Sequence, residues 1–257
     1  MSIHLTREQL DSYVLSDGTI MTTVTNYGYL LYTLNMLKSL NPFGLDHKIL
    51  ILCLDRKGAD ILERKGYGVI CIDHSIERFC PWNTKGYDQI CYLKMELVYR
   101  ILSLGKNVLL VDGDVVFLKD PRNDMMQWGN GSGEVWIQND AQRDQDTTNL
   151  CTGYLYLRSS PRMIELYDCV SEIGKEKYKK CAFDNNDQTY FNKYVKPYCN
   201  VNALPLEQYP NGKMFYDHLK SAQPNTVLVH FNWVKGHLKM AKMKEHKMWL
   251  LTDEEER

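Results

Sequence analysis

The stretch Val108-Leu-Leu-Val-Asp-Gly-Asp-Val-Val-Phe-Leu118 decides the fold. Its first four residues are apolar without alternation, as in a strand covered on both faces within a parallel sheet. The run ends in Asp112-Gly113-Asp114, which sets two carboxylates one residue apart at the mouth of a buried strand. Like charges so close repel, and a divalent cation resolves the conflict, because hard oxygen ligands suit Mg²⁺ or Mn²⁺. The glycine between them permits a ligand's phosphates to approach the backbone. Open α/β sheets bind ligands beyond the carboxyl ends of their strands, which gives the position added meaning. A DxD taken alone is a weak motif, and a solvated acidic turn is the plain alternative.

Outward from this point, strand-like and helix-like patterns alternate, which predicts an α/β domain with a mixed, mostly parallel central sheet. Residues 20–25, 48–54 and 68–73 read as strands, and 27–40 as a helix stopped by Asn41-Pro42-Phe43-Gly44. Ile90, Leu93, Leu97, Val98, Ile101 and Leu104 recur at helical spacing before a C-terminal Gly105. Residues 134–138 and 154–157 are further strands flanking a polar segment, 139–149. Ser160-Pro161 predicts a helix ending near Gly174, another helix starts near Asn186, and 226–230 is a late strand.

The 257 residues carry 31 Lys+Arg against 32 Asp+Glu. That balance sets nucleic-acid binding aside, since such proteins usually carry a basic excess. No stretch reaches the roughly 18 apolar residues of a membrane span, and the start lacks a signal-peptide core. Eight cysteines without a CxxC pair read as buried free thiols rather than a zinc ribbon.

Two enzyme classes use an acidic pair after such a strand. A haloacid-dehalogenase-type phosphohydrolase would attack phosphorus with Asp112, but it usually opens with that strand, whereas about 110 residues come first here. A glycosyltransferase would hold a metal against a nucleotide diphosphate. A non-catalytic sugar-nucleotide-binding protein is a third possibility.

The flanking blocks resemble those of GT-A nucleotide-diphospho-sugar transferases of family 77, and more distantly the glycogenin family. They are Thr25-Asn26 with Tyr29, Lys94, Asp112-Gly113-Asp114 with Asp120-Pro121, Cys151-Thr-Gly153, Asp187-Gln188, Tyr209-Pro-Asn-Gly212, and His230-Phe-Asn-Trp-Val-Lys-Gly-His-Leu-Lys239. Each is short, but their order and spacing over about residues 20–249 are specific together.

The resemblance implies a Mn²⁺ or Mg²⁺ site made of Asp112, Asp114 and His230. It implies Gly236 and Lys239 beside the diphosphate, where lysine neutralises leaving-group charge. Thr25, Asn26 and Tyr29 would recognise the nucleotide, and Lys94 would lie near the donor phosphate or sugar. Tyr29 could equally be a core residue, and Lys94 could snorkel to solvent. Asp187 and Gln188 would face the anomeric carbon of a retaining enzyme, although helix capping is a rival explanation. Trp82 and the segments 79–86 and 139–149 are candidate acceptor contacts. Lys242, Lys244 and Lys247 read as a solvated face.

Two departures stand out. The family pattern favours Asn-Thr-Gly where this chain has Cys151-Thr152-Gly153, a change on the donor-sugar side. Many Golgi relatives carry a membrane anchor that this sequence does not show; beginning with Met and carrying cysteines that read as free thiols, it is expected to work in the cytosol. The expectation is one GT-A-like domain, with a nucleotide-binding lobe over about 1–120 and an acceptor lobe over about 121–257. It would take a nucleotide-sugar donor, most simply a UDP-sugar, and a glycan or glycoprotein acceptor. It would be cytoplasmic or otherwise soluble, unless it is the excised catalytic part of a lumenal enzyme.

Overall fold

A computed structural model describes residues 3–181 and 186–256. Within them the apolar runs become strands of one seven-stranded sheet. A short helix α1 (Arg7–Asp11) precedes β1 (Thr19–Thr25), and α2 (Leu30–Leu40) follows through a 3₁₀ turn at Tyr27–Tyr29. Gly44 at φ +66 ends that helical stretch in the left-handed region, where a side chain would be strained. Next come β2 (Leu50–Cys53), α3 (Arg56–Arg64), β3 (Val69–Cys71), α4 (Lys85–Ser103) and β4 (Asn107–Val111).

Strands β1 to β4 are parallel, and the chain leaves β1 towards β2 and β3 before returning to β4 on its other side. That reversal opens a crevice at the carboxyl ends of β1 and β4. β5 (Val115–Phe117) and α5 (Arg122–Asn130) lead into β6 (Val135–Asn139) and β7 (Leu150–Leu157). β7 runs antiparallel to β4 and β6, and β8 (Val201–Leu204) pairs parallel with β6. The order is β3-β2-β1-β4-β7-β6-β8, the expected mixed and mostly parallel α/β sheet.

The helix expected from Ser160 to Gly174 is two helices, α6 (Pro161–Tyr167) and α7 (Glu172–Lys179). Asp168 Oδ1 accepts the backbone N–H groups of Val170 and Ser171, and Ser171 caps α7 through the Gly174 N–H. These local bonds offer the backbone an alternative to the helical ladder. Helix α8 (Asp187–Tyr190) starts at an Asn186 cap, as expected, and runs into a π-helical turn at Phe191–Val195. The late strand β9 (Leu228–His230) joins β5 in a separate antiparallel pair, and α9 (His237–Glu245) follows.

The core lies on both faces of the sheet. Ile20, Leu50, Leu52, Leu97, Val98 and Leu110 pack on one side, and Met21, Leu37, Ile51, Leu109 and Tyr154 on the other. The eight cysteines are free thiols, with Cys53, Cys91, Cys151, Cys169 and Cys181 buried. Among the described residues no helix is long and apolar enough to cross a membrane.

Candidate active site

The acidic pair emerges from β4 into a turn closed by the Val115 N–H and the Asp112 carbonyl. Strand β5 begins one residue after Asp114 and pairs with β9 in the register Val115 to His230. The Phe231 N–H donates to the Asp114 carbonyl at 3.0 Å. This pairing brings an imidazole from near the end of the chain to two aspartates in its middle. His230 Nε2 lies 3.2 Å from Asp114 Oδ1 and 4.0 Å from Asp112 Oδ2. One ligand atom from each of the three residues falls within 4.8 Å of the others.

The third wall is a bulge in β7. Ile137 of β6 pairs with Leu155, but Gln138 pairs with Cys151, so Thr152, Gly153 and Tyr154 are looped past β6. The Gly153 carbonyl accepts the Asp112 N–H at 2.8 Å. A Cβ at Gly153 would stand 2.2 Å from His230 Cε1 and 2.9 Å from Asp112 Oδ2, so the glycine is required by the site itself. Gly113 is crowded from a different direction, since its Cβ would meet Thr33 Oγ1 at 2.7 Å.

Two lysines take the outer oxygens of the pair. Lys94 Nζ contacts Asp112 Oδ1 at 2.7 Å and Asp187 Oδ2 at 2.9 Å, and Lys239 Nζ donates to Asp114 Oδ2. Lys94 is buried rather than snorkelling. Burial alone would push its ammonium down, but Asp112 and Asp187 outweigh it and hold it well above the usual lysine value. Burial also opposes charge on Asp114, yet Lys239 and His230 keep its carboxyl well below the usual range. Asp187 is lowered in the same way: burial raises it, while Lys94 and then the Thr152 hydroxyl, 2.7 Å from Oδ2, more than compensate.

These contacts leave Asp112 Oδ2 and Asp114 Oδ1 turned towards His230 Nε2. Three carboxylates face two ammonium groups, so the cluster carries a net negative charge when the imidazole is neutral. Two hard oxygens and one imidazole nitrogen form a donor set suited to a divalent cation. The residues present fit such an ion.

The other expected residues are placed less directly. Thr25 is buried with its hydroxyl 2.8 Å from Thr33 Oγ1. Asn26 is buried and caps the Tyr29 N–H, while its amide donates to the Ile76 and Arg78 carbonyls at 2.6 and 3.0 Å. Both side chains are occupied by the protein itself. The Tyr29 ring lies 4.6 Å from that of Phe79 and its hydroxyl donates to the Cys80 carbonyl, so it fastens the 79–86 segment to the end of β1. Asp187 is buried at the start of α8, turned to Lys94 and Thr152. Gln188 donates through Nε2 to Asp140 Oδ2 at 3.1 Å and Asn149 Oδ1 at 3.2 Å. Gly236, at φ +46 with open space where a Cβ would project, caps α9. Lys244 pairs with Glu256 and Lys242 with Glu245, in keeping with a solvated face.

The sequence motifs omit Gln138 and include Asp140 only as part of the candidate acceptor segment 139–149. Gln138 accepts a hydrogen bond from His230 Nδ1 at 2.7 Å. Asp140 gathers three segments, because besides Gln188 it accepts from Asn149 and from the adjacent Asn232 amide and Trp233 indole. Trp233 is exposed at φ +62, and Trp82 is exposed as well. The Tyr209-Pro-Asn-Gly212 block proves to be a clamp: Asn211 donates to the Asn139 and Ala141 carbonyls, and Gly212 N–H to Asn232.

Fold and site together define an α/β enzyme-like crevice fit for a divalent cation. Residues 44–245 match the family model for nucleotide-diphospho-sugar transferases, and the chain belongs to that family; it is a glycosyltransferase. It is 23% identical to a UDP-D-xylose:L-fucose alpha-1,3-D-xylosyltransferase of Arabidopsis thaliana, with 96% of this chain and 74% of the relative covered. It is 24% identical to a UDP-galactose:fucoside alpha-3-galactosyltransferase of Dictyostelium discoideum, covering 90% of this chain and 43% of that protein. In fold it is similar to mouse xyloside xylosyltransferase 1, at TM-score 0.54 and 12% identity over 84% of this chain and 98% of that one. A glycosyltransferase that acts in glycosylation of the PBCV-1 major capsid gives TM-score 0.52 at 10% identity, over 88% and 98%. Family membership sets the phosphohydrolase alternative aside, and the more distant likeness to glycogenins gains no support from these relatives.

Proposed function

We propose that the protein transfers a sugar from a UDP-sugar to a hydroxyl of a glycan or glycoprotein, with Mn²⁺ or Mg²⁺ at Asp112, Asp114 and His230. One observation carries this reading. Each aspartate gives one oxygen to a lysine and turns the other towards the same imidazole nitrogen. When bound, the cation supplies Lewis-acid stabilisation of the departing nucleoside diphosphate.

The chain's own groups do the rest. Lys239 places an ammonium on the phosphate side, where leaving-group charge develops, and Gly236 leaves the backbone there open to approach. Lys94 holds Asp112 and Asp187 in one network, so the metal side and the sugar side keep a fixed relation. Asp187 therefore acts through position and charge. Gln188 has its side-chain amide nitrogen engaged, and among the described residues its side-chain oxygen accepts no hydrogen bond, which makes that oxygen the group available to the donor sugar. Retention of configuration rests on the family likeness. The nucleotide-binding role of Thr25, Asn26 and Tyr29 is exerted through the loop they fix, within a nucleotide lobe over about 1–120 and an acceptor lobe over about 121–257.

UDP-xylose and UDP-galactose are the donors to try first, and a fucoside the acceptor, since the similar proteins of Arabidopsis and Dictyostelium carry these in their names. The test is release of UDP from each donor with Mn²⁺, and again after EDTA, followed by transfer to a methyl fucoside. Metal-dependent UDP release that vanishes in Asp114→Asn is the expected result. Absence of binding and turnover with every nucleotide-sugar would overturn the reading.

A further inference from the structure

Gln138 belongs to none of the motifs above, yet its surroundings leave it little freedom. It stands next to last in β6, where the register with β7 shifts. Bulges of this kind re-aim side chains and recur beside active sites. The Gln138 side chain is fully buried. Its Nε2 donates to the Tyr209 and Pro210 carbonyls, both at 3.1 Å. Carbonyl oxygens can only accept, so the amide nitrogen must be the end that faces them. The amide oxygen is then the end 2.7 Å from His230 Nδ1.

An oxygen in that place can only accept, so Nδ1 carries a hydrogen. In the neutral ring the lone pair therefore sits on Nε2, the nitrogen facing Asp112 and Asp114. The Cys151 thiol also lies within reach of Nδ1, at 3.8 Å, but were it the donor a bare Nδ1 would face the Gln138 oxygen at 2.7 Å, lone pair against lone pair, so the thiol is the weaker contact. The Pro210 carbonyl also accepts the His230 N–H at 3.1 Å, so the backbone of the histidine and the side chain that orients it hang on one peptide group.

We infer that Gln138 is a positioning residue for the cation site: it holds His230 in the tautomer whose Nε2 can ligate, and so sets the affinity of the Asp112–Asp114–His230 triad for a divalent metal. Outer partners of metal-bound histidines act this way in general. The inference rests on the cation site proposed above, and the experiment separates the two.

The probe is Mn²⁺ alone, titrated into the full chain and followed by the EPR signal of the free ion. Gln138→Met keeps the volume and removes the amide; Gln138→Glu, held neutral by its full burial, keeps an acceptor for Nδ1 and an O–H donor for one of the two carbonyls. The first should weaken Mn²⁺ binding by about tenfold or more and the second should stay within about threefold of the parent. In a His230→Ala background, Gln138→Met should cost nothing further, whereas a merely structural role would cost the same in both backgrounds. Unchanged affinity in Gln138→Met, or equal losses in the two backgrounds, overturns the inference while leaving the cation site standing. A parent protein that binds no Mn²⁺ overturns both. Should Gln138→Met fail to melt cooperatively, the unaltered protein decides. With ¹⁵N-labelled histidine and saturating Mg²⁺, His230 must show a protonated Nδ1 and a bare Nε2, and the reverse tautomer sinks the idea.

Discussion

Gly153→Ala is the smallest change that tests whether the triad is the working site. The new methyl carbon would stand 2.2 Å from His230 Cε1, whereas ordinary contact begins near 3.4 Å, so the ring must retreat by about 1.2 Å. It has little room to do so, because it is buried, bonded to Gln138 and fixed by the β5–β9 pairing. If the β7 bulge moves instead, the Gly153 carbonyl pulls on the Asp112 N–H, and the other side of the site is displaced. Metal–ligand distances tolerate about 0.2 Å, so either route spoils the donor set. Misplacement of about 1 Å costs on the order of 100-fold in rate. Overpacking should cost about 1–3 kcal/mol in stability, so a folded protein with a ruined site is expected. The assay is Mn²⁺-dependent UDP release from a UDP-sugar, with thermal melting to confirm folding. A variant that melts normally and retains turnover within about threefold of the parent would refute the reasoning, because a 1 Å displacement of a ligand cannot be so mild.

Lys94→Met leaves Asp187 buried without its cation and should lower stability by about 3–5 kcal/mol at pH 7. In the parent, the lowered Asp187 carboxyl contributes stability above its unfolded value of about 3.9, lost as the pH falls through the folded one. Without Lys94, burial raises that carboxyl, so the variant recovers as acid neutralises it, and thermal melts should show the gap narrowing from pH 7 to pH 4; a constant gap refutes the pairing. Asp112→Asn and Asp114→Asn should each reduce Mn²⁺-dependent UDP release by about 100-fold or more, since several kcal/mol of charge stabilisation depend on the ligand. Lys239→Met should lower kcat for UDP release by about 100-fold with Mn²⁺ affinity largely kept, measured by steady-state kinetics beside EPR titration.

What the chain discloses by itself depends on how local the physics is. Strand β4 and its DGD end are legible because a doubly covered strand must be apolar throughout and the charges follow at once. Helix α4 shows its buried face in the spacing of Ile90, Leu93, Leu97 and Ile101. Lys94 in the same helix is legible only through the family likeness and not from its pattern, because an ammonium among apolar neighbours normally snorkels, and its partners lie 18 and 93 residues further on. Gln138 is hidden for the same reason: its orientation depends on a bulge in another strand and on two carbonyls more than 70 residues away. The break between α6 and α7 is hidden because Asp168 and Ser171 act through side-chain bonds that periodicity does not register. β8 is four residues at the sheet edge, three half-buried and only Leu204 buried, too short to show alternation.

The electrostatics give these dispersed residues a common purpose. Asp112, Asp114 and Asp187 bring three negative charges into a crevice where Lys94 and Lys239 supply two positive ones. Like charges this close are stable only if neutralised, and the two lysines do so from the outer side while leaving the inner oxygens facing His230 Nε2. A divalent ion placed there would reverse the sign of the cluster without displacing either lysine. The crevice would then attract the diphosphate of the donor, and the charge released on cleavage would appear beside Lys239. A monovalent ion would merely cancel the residual charge and leave nothing to hold a polyanion. On the proposed function the arrangement would favour a divalent ion by charge balance as well as by donor type, so removing Lys239 and removing the metal should disable the site in distinguishable ways: the first through phosphate stabilisation and the second through donor binding itself.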